Sequence, residues 1–168
     1  MEKRNKHRIR KGILCLALLA LGMASLFIRS PYLVLSNTAT GQVLYRVPLQ
    51  EGETFSLSHI HSLHQSPVLE TYTIRDGQIA LILLEFETFG AGLPEVLEPD
   101  QTLTRLETGG MRIDGFTRPI LDLRVLIGHT AEHTLHVANR SIPLLTLDQA
   151  GQSVQFAPRQ LNIWQRLL

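Results

Sequence analysis

The chain has 168 residues, a formal net charge of +1 and one cysteine, Cys15. The basic residues concentrate at the start: six of the first eleven residues are Lys or Arg, whereas beyond residue 28 ten arginines face fourteen acidic residues and no lysine remains. These numbers exclude a disulfide framework and a basic surface that could follow a nucleic-acid backbone, and the length suits one domain with a core of its own.

An apolar segment follows the basic start. The run Ile13–Ile28 contains no charged residue, and with its flanks it approaches the roughly 20 residues of a membrane-spanning helix. We therefore predict a cytoplasmic tail over residues 1–11 and a transmembrane signal-anchor helix over residues 12–29. A cleaved signal peptide is the alternative, because Gly22-Met23-Ala24 resembles a small-residue cleavage site. In both cases the positive-inside rule predicts that residues 30–168 lie in the periplasm, and the anchor predicts a single-pass inner-membrane protein.

The remainder of the chain alternates short apolar runs with turn residues, which is typical of strands. Residues 95–110 are acidic and rich in turn formers, which predicts a long surface loop with a short helical turn. Only residues 161–168 suggest a helix. About ten strands at this spacing predict an all-β domain, either an antiparallel β-sandwich or a partly closed barrel. The predicted strands are Tyr32–Ser36, Val43–Val47, the three central runs within Phe55–Phe89, Leu121–Ile127, Thr134–Ala138, Ile142–Leu147 and Val154–Phe156.

The three central runs are predicted to form two hairpins. Asp76-Gly77 between apolar runs indicates a two-residue turn. Counting back from it pairs Arg75 with Gln78, Ile74 with Ile79, Tyr72 with Leu81, Glu70 with Leu83 and Val68 with Glu85. The hydrophobic pattern of the first hairpin, whose turn spans Ser62–Pro67, pairs Phe55 with Ile74, Leu57 with Tyr72, His59 with Glu70 and His61 with Val68.

One face of these strands is predicted to be apolar at one end and polar at the other. Its polar end would carry His59, His61, Glu70 and Glu85. Imidazole and carboxylate groups could hold a transition metal. They could also form a buried hydrogen-bonded network that is only structural. A ligand pocket at the mouth of the domain is a third interpretation.

Two further sets of residues are candidates. Gly90 and Gly92 could present backbone N–H groups to an anion, although a tight bend is the simpler interpretation. The adjacent Leu93 could be exposed as a contact for a partner, or it could fold back onto the domain. A third set, His129, His133 and His136, has a spacing that suits a helix better than the strand predicted there, so we interpret these histidines as turn and surface residues.

Three short motifs resemble an uncharacterised bacterial family, the domain of unknown function numbered eighteen-fifty. They are His61-Ser62, then Pro67-Val68 with Glu70, then Phe89-Gly-Ala-Gly-Leu-Pro94. Leu63-His64 departs mildly from the family pattern. The resemblance implies a small domain, often behind an N-terminal apolar anchor, and commonly encoded beside TAXI-type TRAP solute transporters.

Two functions of different classes follow. The first is a membrane-anchored extracytoplasmic accessory or binding domain that contacts a TRAP/TAXI transporter subunit or its solute, without a cofactor. The second is a small metal-dependent or acid/base enzyme that uses the His/Glu cluster. The lack of a dense catalytic motif favours the first.

Overall fold

The computed structural model describes residues 28–61, 65–87, 96–107 and 109–167 continuously, together with positions 13, 16, 18, 19, 22, 23, 25 and 26. The chain divides into two compact units. One consists of residues 32–159, and the other joins residues 1–31 to residues 160–168.

Strands dominate the described residues. They are β1 (Arg29–Asn37), β2 (Val43–Pro48), β3 (Thr54–Ile60), β4 (Pro67–Arg75), β5 (Gln78–Phe86), β6 (Thr102–Arg105), β7 (Met111–Asp114), β8 (Pro119–Ile120), β9 (Leu123–Leu126), β10 (Thr134–Val137), β11 (Arg140–Pro143) and β12 (Ser153–Asn162). A 3-10 turn, Leu144–Thr146, follows β11, and the C-terminal helix is Ile163–Leu167.

The strands form two sheets. The smaller has the order β2-β1-β12-β9, and the larger has the order β11-β10-β3-β4-β5-β7-β6 with β8 beside β5. The hairpins within both sheets are antiparallel. Both orders are open, so among the described strands neither sheet closes into a barrel. The prediction of antiparallel β-structure is confirmed, and the described strands do not form a closed barrel.

One apolar cluster receives side chains from both sheets. Leu33 and Leu35 of β1 and Phe156 of β12 meet Phe55 and Leu57 of β3. The Phe55 ring stacks on that of Phe156, with centroids 6.1 Å apart and planes 1° from parallel. Strand side chains alternate between faces, so this contact defines an inner face of the larger sheet, the face that carries Phe55 and Leu57. A second, smaller cluster contains Val68, Leu84, Phe86 and Ile113.

Two turns between neighbouring strands follow from the local properties of glycine and asparagine. Asp76 and Gly77 both have positive φ, 53° and 69°, as the two central residues of a type I′ turn must. The side chain of Asn37 likewise accepts hydrogen bonds from the N–H groups of Ala39 and Thr40, each at 2.9 Å, and so shapes the turn between β1 and β2.

The register of both central hairpins departs from the prediction. In the first hairpin the observed pairing is shifted by two residues from the predicted one. Phe55 lies opposite Tyr72 instead of Ile74, and His59 lies opposite Val68 instead of Glu70. The second follows the predicted pairs from Arg75 to Tyr72, but a bulge between Thr71 and Tyr72 then shifts it by one residue. Val68 consequently faces Phe86, and the predicted pairs of Glu70 with Leu83 and of Val68 with Glu85 are wrong. The bulge places Phe86 beside Val68 in the smaller cluster instead of a charged glutamate.

Two other local predictions are wrong. The segment predicted as a surface loop contains strand β6, which pairs with β7. The turn between β10 and β11 consists of Ala138 and Asn139, both at positive φ, so Ala138, predicted as the last residue of a strand, lies in the turn.

The smaller unit contains the two ends of the chain. The described positions of the apolar run from residue 13 to residue 25 are helical. Among the residues that the structure describes, no helix is both long and apolar enough to cross a membrane. The C-terminal helix begins with a reciprocal cap: the N–H of Gln165 donates to Asn162 Oδ1 at 2.9 Å, and the N–H of Asn162 donates to Gln165 Oε1 at 3.0 Å.

Candidate functional site: a histidine pair on the inner face

The inner face becomes polar toward the end of β3. Phe55, Leu57 and His59 alternate along this strand and point to the same side. Phe55 and Leu57 are fully buried, whereas His59 is half-buried. In β4, Glu70 lies opposite Leu57 and Val68 lies opposite His59. His59 and Glu70 are therefore diagonal neighbours that alternate with apolar side chains, and the predicted direct pair of His59 with Glu70 is wrong.

Glu70 interacts with a buried tyrosine on its own strand. Tyr72 is 2% exposed, and its ring stacks on that of Phe55 with centroids 5.2 Å apart. Burial, the negative charge of Glu70 and a hydrogen bond to the Glu70 carboxylate all raise the pKa of the Tyr72 hydroxyl. The tyrosine is consequently neutral, and its hydroxyl donates a hydrogen bond to the carboxylate, which satisfies one polar atom in an otherwise apolar setting.

A second histidine reaches His59 from a distant part of the sequence. Strand β10 pairs with β3 so that Leu135 lies opposite Leu57. His133, just before β10, consequently comes beside His59, and their ring centroids are 5.3 Å apart with the planes at 30°. We call His59 and His133 the histidine pair. The prediction that His133 is a turn or surface residue is wrong, because it overlooked the pairing of β10 with β3.

Both rings of the histidine pair favour the neutral form. Burial lowers the pKa of His59, the Glu70 carboxylate raises it, and the charge of His61 lowers it again; the net direction is downward. Burial and the charge of His59 lower the pKa of His133. The Nδ1 atom of His133 is buried and has no hydrogen-bond partner among the described residues. A buried polar atom normally has a hydrogen-bond partner, and none of the described residues supplies one here.

His61 belongs to the same end of the sheet. Its N–H donates to the carbonyl of Ser66 at 2.9 Å, and its carbonyl accepts from the N–H of Gln65 at 2.8 Å. These two bonds close the first hairpin. Glu70 and His61 both act electrostatically on His59, and His133 is the neighbour that the sequence did not reveal.

Glu85 does not belong to this site. The bulge in the β4–β5 hairpin places Glu85 opposite Leu69 and beside Arg112 of β7. Its carboxylate accepts hydrogen bonds from Arg112 Nε at 2.9 Å and Nη2 at 2.7 Å. Since Leu69 and Glu70 are adjacent in one strand, Glu85 lies on the opposite face from Glu70. Its predicted membership in the cluster is wrong.

The predicted residues of the glycine loop, Gly90, Gly92 and Leu93, lie outside the described residues, as does the segment 62–64. The described chain resumes at Val96, which is 83% exposed.

The remaining candidate histidines are on the other side of the sheet or in a loop. His136 Nε2 lies 2.7 Å from Ser58 Oγ, and its Nδ1 lies 2.9 Å from Ser141 Oγ. Ser58 follows Leu57 and so points away from the inner face. This chain of hydrogen bonds connects β3, β10 and β11 across the outer face, as cross-strand polar pairs do. His129 is exposed.

The chemistry of the inner-face site follows from its protonation states. The neutral imidazoles can each donate one hydrogen bond and accept another, and Glu70 supplies a carboxylate. Within the described part of the chain, no group of three or more His, Cys, Asp or Glu side chains is arranged to hold a metal ion. The arrangement suits the recognition of a polar group beside apolar walls, which is the usual composition of a small-ligand site.

Comparisons with known proteins concern this same region. No curated protein and no solved structure matches the chain significantly. A family model described as a domain of unknown function, DUF1850, matches residues 55–144. This range spans β3 to β11 and includes both members of the histidine pair. The chain therefore belongs to the DUF1850 family.

Proposed function

We propose that the protein is a membrane-tethered extracytoplasmic binding domain that assists a solute transporter of the TRAP (TAXI) type. Residues 12–29 would anchor it in the inner membrane as a single span, and residues 30–168 would lie in the periplasm. The histidine pair would recognise the solute or a transporter subunit.

The exposed side chains of the apolar run support the proposed membrane tether. The side chains of Ile13, Leu16, Leu19 and Met23 are between 62% and 69% exposed. Apolar side chains that stand out from a helix on this scale are costly in water, since each buried Leu or Ile is worth about 1.5–3 kcal/mol. A bilayer removes this cost. The six cations that precede the run support an orientation with the N-terminus in the cytoplasm.

The binding role rests on the histidine pair. Its half-buried rings sit beside fully buried apolar residues, and the Nδ1 atom of His133 lacks a partner within the described residues. A ligand that offers a hydroxyl or N–H group there would form a hydrogen bond that no described residue supplies. Transporter association is what the family resemblance leads us to expect.

An acid/base enzyme is the alternative, and its members would be His59, His133 and Glu70. Neutral imidazoles near a carboxylate are suitable proton acceptors. The two functions differ in their response to substitution: an enzyme would lose turnover when His133 is replaced by Gln, whereas a binding domain would lose affinity without any turnover in either form.

The tether is tested with a reporter fused to the C-terminus and with alkaline extraction of membranes. We expect periplasmic reporter activity and retention of the full-length chain in the membrane pellet. Cytoplasmic reporter activity would contradict the orientation, and release of the chain into the soluble periplasm would contradict the uncleaved anchor.

The binding role is tested by co-purification with the membrane subunit of a TAXI-type TRAP transporter, and by titration with the solute of that transporter. His133→Phe keeps a ring of similar size but removes both nitrogens. We expect binding to weaken at least about tenfold, the equivalent of roughly 1.4 kcal/mol. His129→Phe, at an exposed histidine, is the matched control and should bind like the unsubstituted protein. Equal affinity of the two variants would contradict the binding role of the histidine pair.

A further inference from the structure

The C-terminal helix exposes two apolar side chains, although it is too short to be stable alone. Ile163 is 45% exposed and Trp164 is 53% exposed. The reciprocal cap of Asn162 and Gln165 nevertheless defines where the helix begins. A defined helix that exposes its two largest apolar residues indicates a contact outside the folded chain.

A hydrogen bond links this helix to the residues that follow the apolar run. Arg166 Nη2 donates to Ser30 Oγ at 2.8 Å. Ser30 lies two residues after Ile28, the last residue of the uncharged run. The C-terminal helix is thus located where the proposed membrane anchor would leave the bilayer.

Trp164 also lies beside the apolar run itself. It lines an open groove of about 520 Å³ together with Leu18, Leu19, Met23 and Leu26. Every large side chain of this groove is apolar, and Gly22 is its remaining member. The groove therefore joins the outward-facing tryptophan to the same side chains that the proposed anchor would present to lipid.

The charges nearby suit a membrane surface. Residues 28–31 and 160–168 contain two arginines, Arg29 and Arg166, and no acidic residue, whereas the whole chain beyond residue 28 has more acids than bases. Cations close to the interface are attracted to anionic lipid headgroups. Tryptophan is enriched at this depth because its ring is apolar while its N–H can reach water or a headgroup.

We propose that the C-terminal helix is a second membrane contact, in which Trp164 and Ile163 enter the outer interface of the bilayer and acyl chains fill the groove beside Trp164. This inference rests on the proposed tether. The helix would hold the end of the chain against the membrane, so that the domain is fixed at two points instead of one.

Trp164 is the single tryptophan of the chain, so its fluorescence reports this contact alone. The full-length protein is reconstituted into vesicles of phosphatidylethanolamine and phosphatidylglycerol, with lipid brominated either near the headgroup or near the chain end. We expect quenching at least about twofold stronger by the headgroup-proximal bromine, as for an interfacial tryptophan. We also expect weak quenching by aqueous iodide. Trp164→Phe combined with Leu121→Trp, at a side chain that is 83% exposed, calibrates full quenching by iodide.

The outcomes separate the two proposals. A chain that washes off the vesicles at alkaline pH contradicts the tether and this inference together. A retained chain whose Trp164 is quenched by iodide and not by bromine contradicts only the second contact. Protection from both quenchers would show that protein, either a second copy or a partner, covers Trp164, and it would equally overturn the lipid contact.

Discussion

His133 lies beside His59 with ring centroids 5.3 Å apart, although the two residues belong to different hairpins. Burial lowers the pKa of both rings, and the positive charge of protonated His59 would lower that of His133 further. Protonation of either ring thus opposes the folded state, while Glu70 partly offsets this at His59.

The first prediction is that the domain loses stability as the pH falls below about 6.5, the ordinary pKa of histidine. The unfolded chain binds protons at these two histidines at a higher pH than the folded chain does. The contribution of the two neutral histidines to the free energy of unfolding is therefore fully present above the unfolded pKa. It decreases as the pH falls toward the lowered folded pKa values. Urea unfolding at a series of pH values measures this slope.

His133→Gln removes one of the titrating groups and should flatten the slope between neutral pH and about pH 5. His59 still titrates with a lowered pKa, so part of the slope should remain. His129→Gln, at an exposed histidine, is the control and should keep the slope of the unsubstituted protein. If His133→Gln also keeps it, burial of the pair is not what penalises the protonated form.

The second prediction concerns the hydrogen bond between Tyr72 and Glu70. Glu70→Leu fills the volume opposite Leu57 with an apolar side chain but leaves the buried Tyr72 hydroxyl without its carboxylate. We expect a loss of about 1–3 kcal/mol in the free energy of unfolding. Adding Tyr72→Phe removes the unsatisfied hydroxyl and should restore most of that loss, because replacing both partners by apolar groups is nearly neutral.

Denaturant unfolding of both single variants and the double variant, at a pH above 7, forms the complete cycle. Strictly additive losses would show that the two side chains do not depend on each other. The single variant Tyr72→Phe is the reference for the hydroxyl, since it keeps the stacked ring beside Phe55.

The sequence predicts those parts of the fold that neighbouring residues determine. Asp-Gly between strands favours a type I′ turn, as Asp76-Gly77 adopts here, and Asn37 shapes its turn with its own side chain. His59, His61 and Glu70 share one end of the inner face because strand alternation is local. The fold class follows from the same alternation.

Other features depend on contacts between distant residues. Periodicity alone does not reveal the bulge between Thr71 and Tyr72, because it accompanies the burial of Phe86 against Val68 in a cluster that includes Ile113. That single-residue shift moves Glu85 out of the site. His133 enters the site only through the pairing of β10 with β3, which no local pattern specifies.

The third prediction tests a close approach between two backbone segments. Gly115 has φ +85°, and a Cβ atom there would lie 2.0 Å from the carbonyl oxygen of Asp100. Gly115→Ala should therefore cost more than the roughly 1–2 kcal/mol of left-handed strain alone, because backbone must move as well. Gly109→Ala is the matched control, since Gly109 has φ +95° and open space around it. Thermal unfolding of the two variants should differ clearly, and equal losses would contradict the close approach.

The last prediction concerns strain in the turn between β10 and β11. Ala138 has φ 48° and Asn139 has φ 61°, so an alanine occupies a left-handed position that usually carries Asn, Asp or Gly. Ala138→Gly removes the steric cost of the Cβ atom, about 1–2 kcal/mol, but makes the unfolded chain more flexible by roughly 0.5–1 kcal/mol. We expect a net gain of about 0.5 kcal/mol in the free energy of unfolding, which is a rise of roughly 1–2 °C in Tm for a domain of this size. Ala150→Gly is the control, because Ala150 is not among the residues with positive φ, and there only the loss should appear. A lower Tm for Ala138→Gly would show that the turn does not strain its alanine.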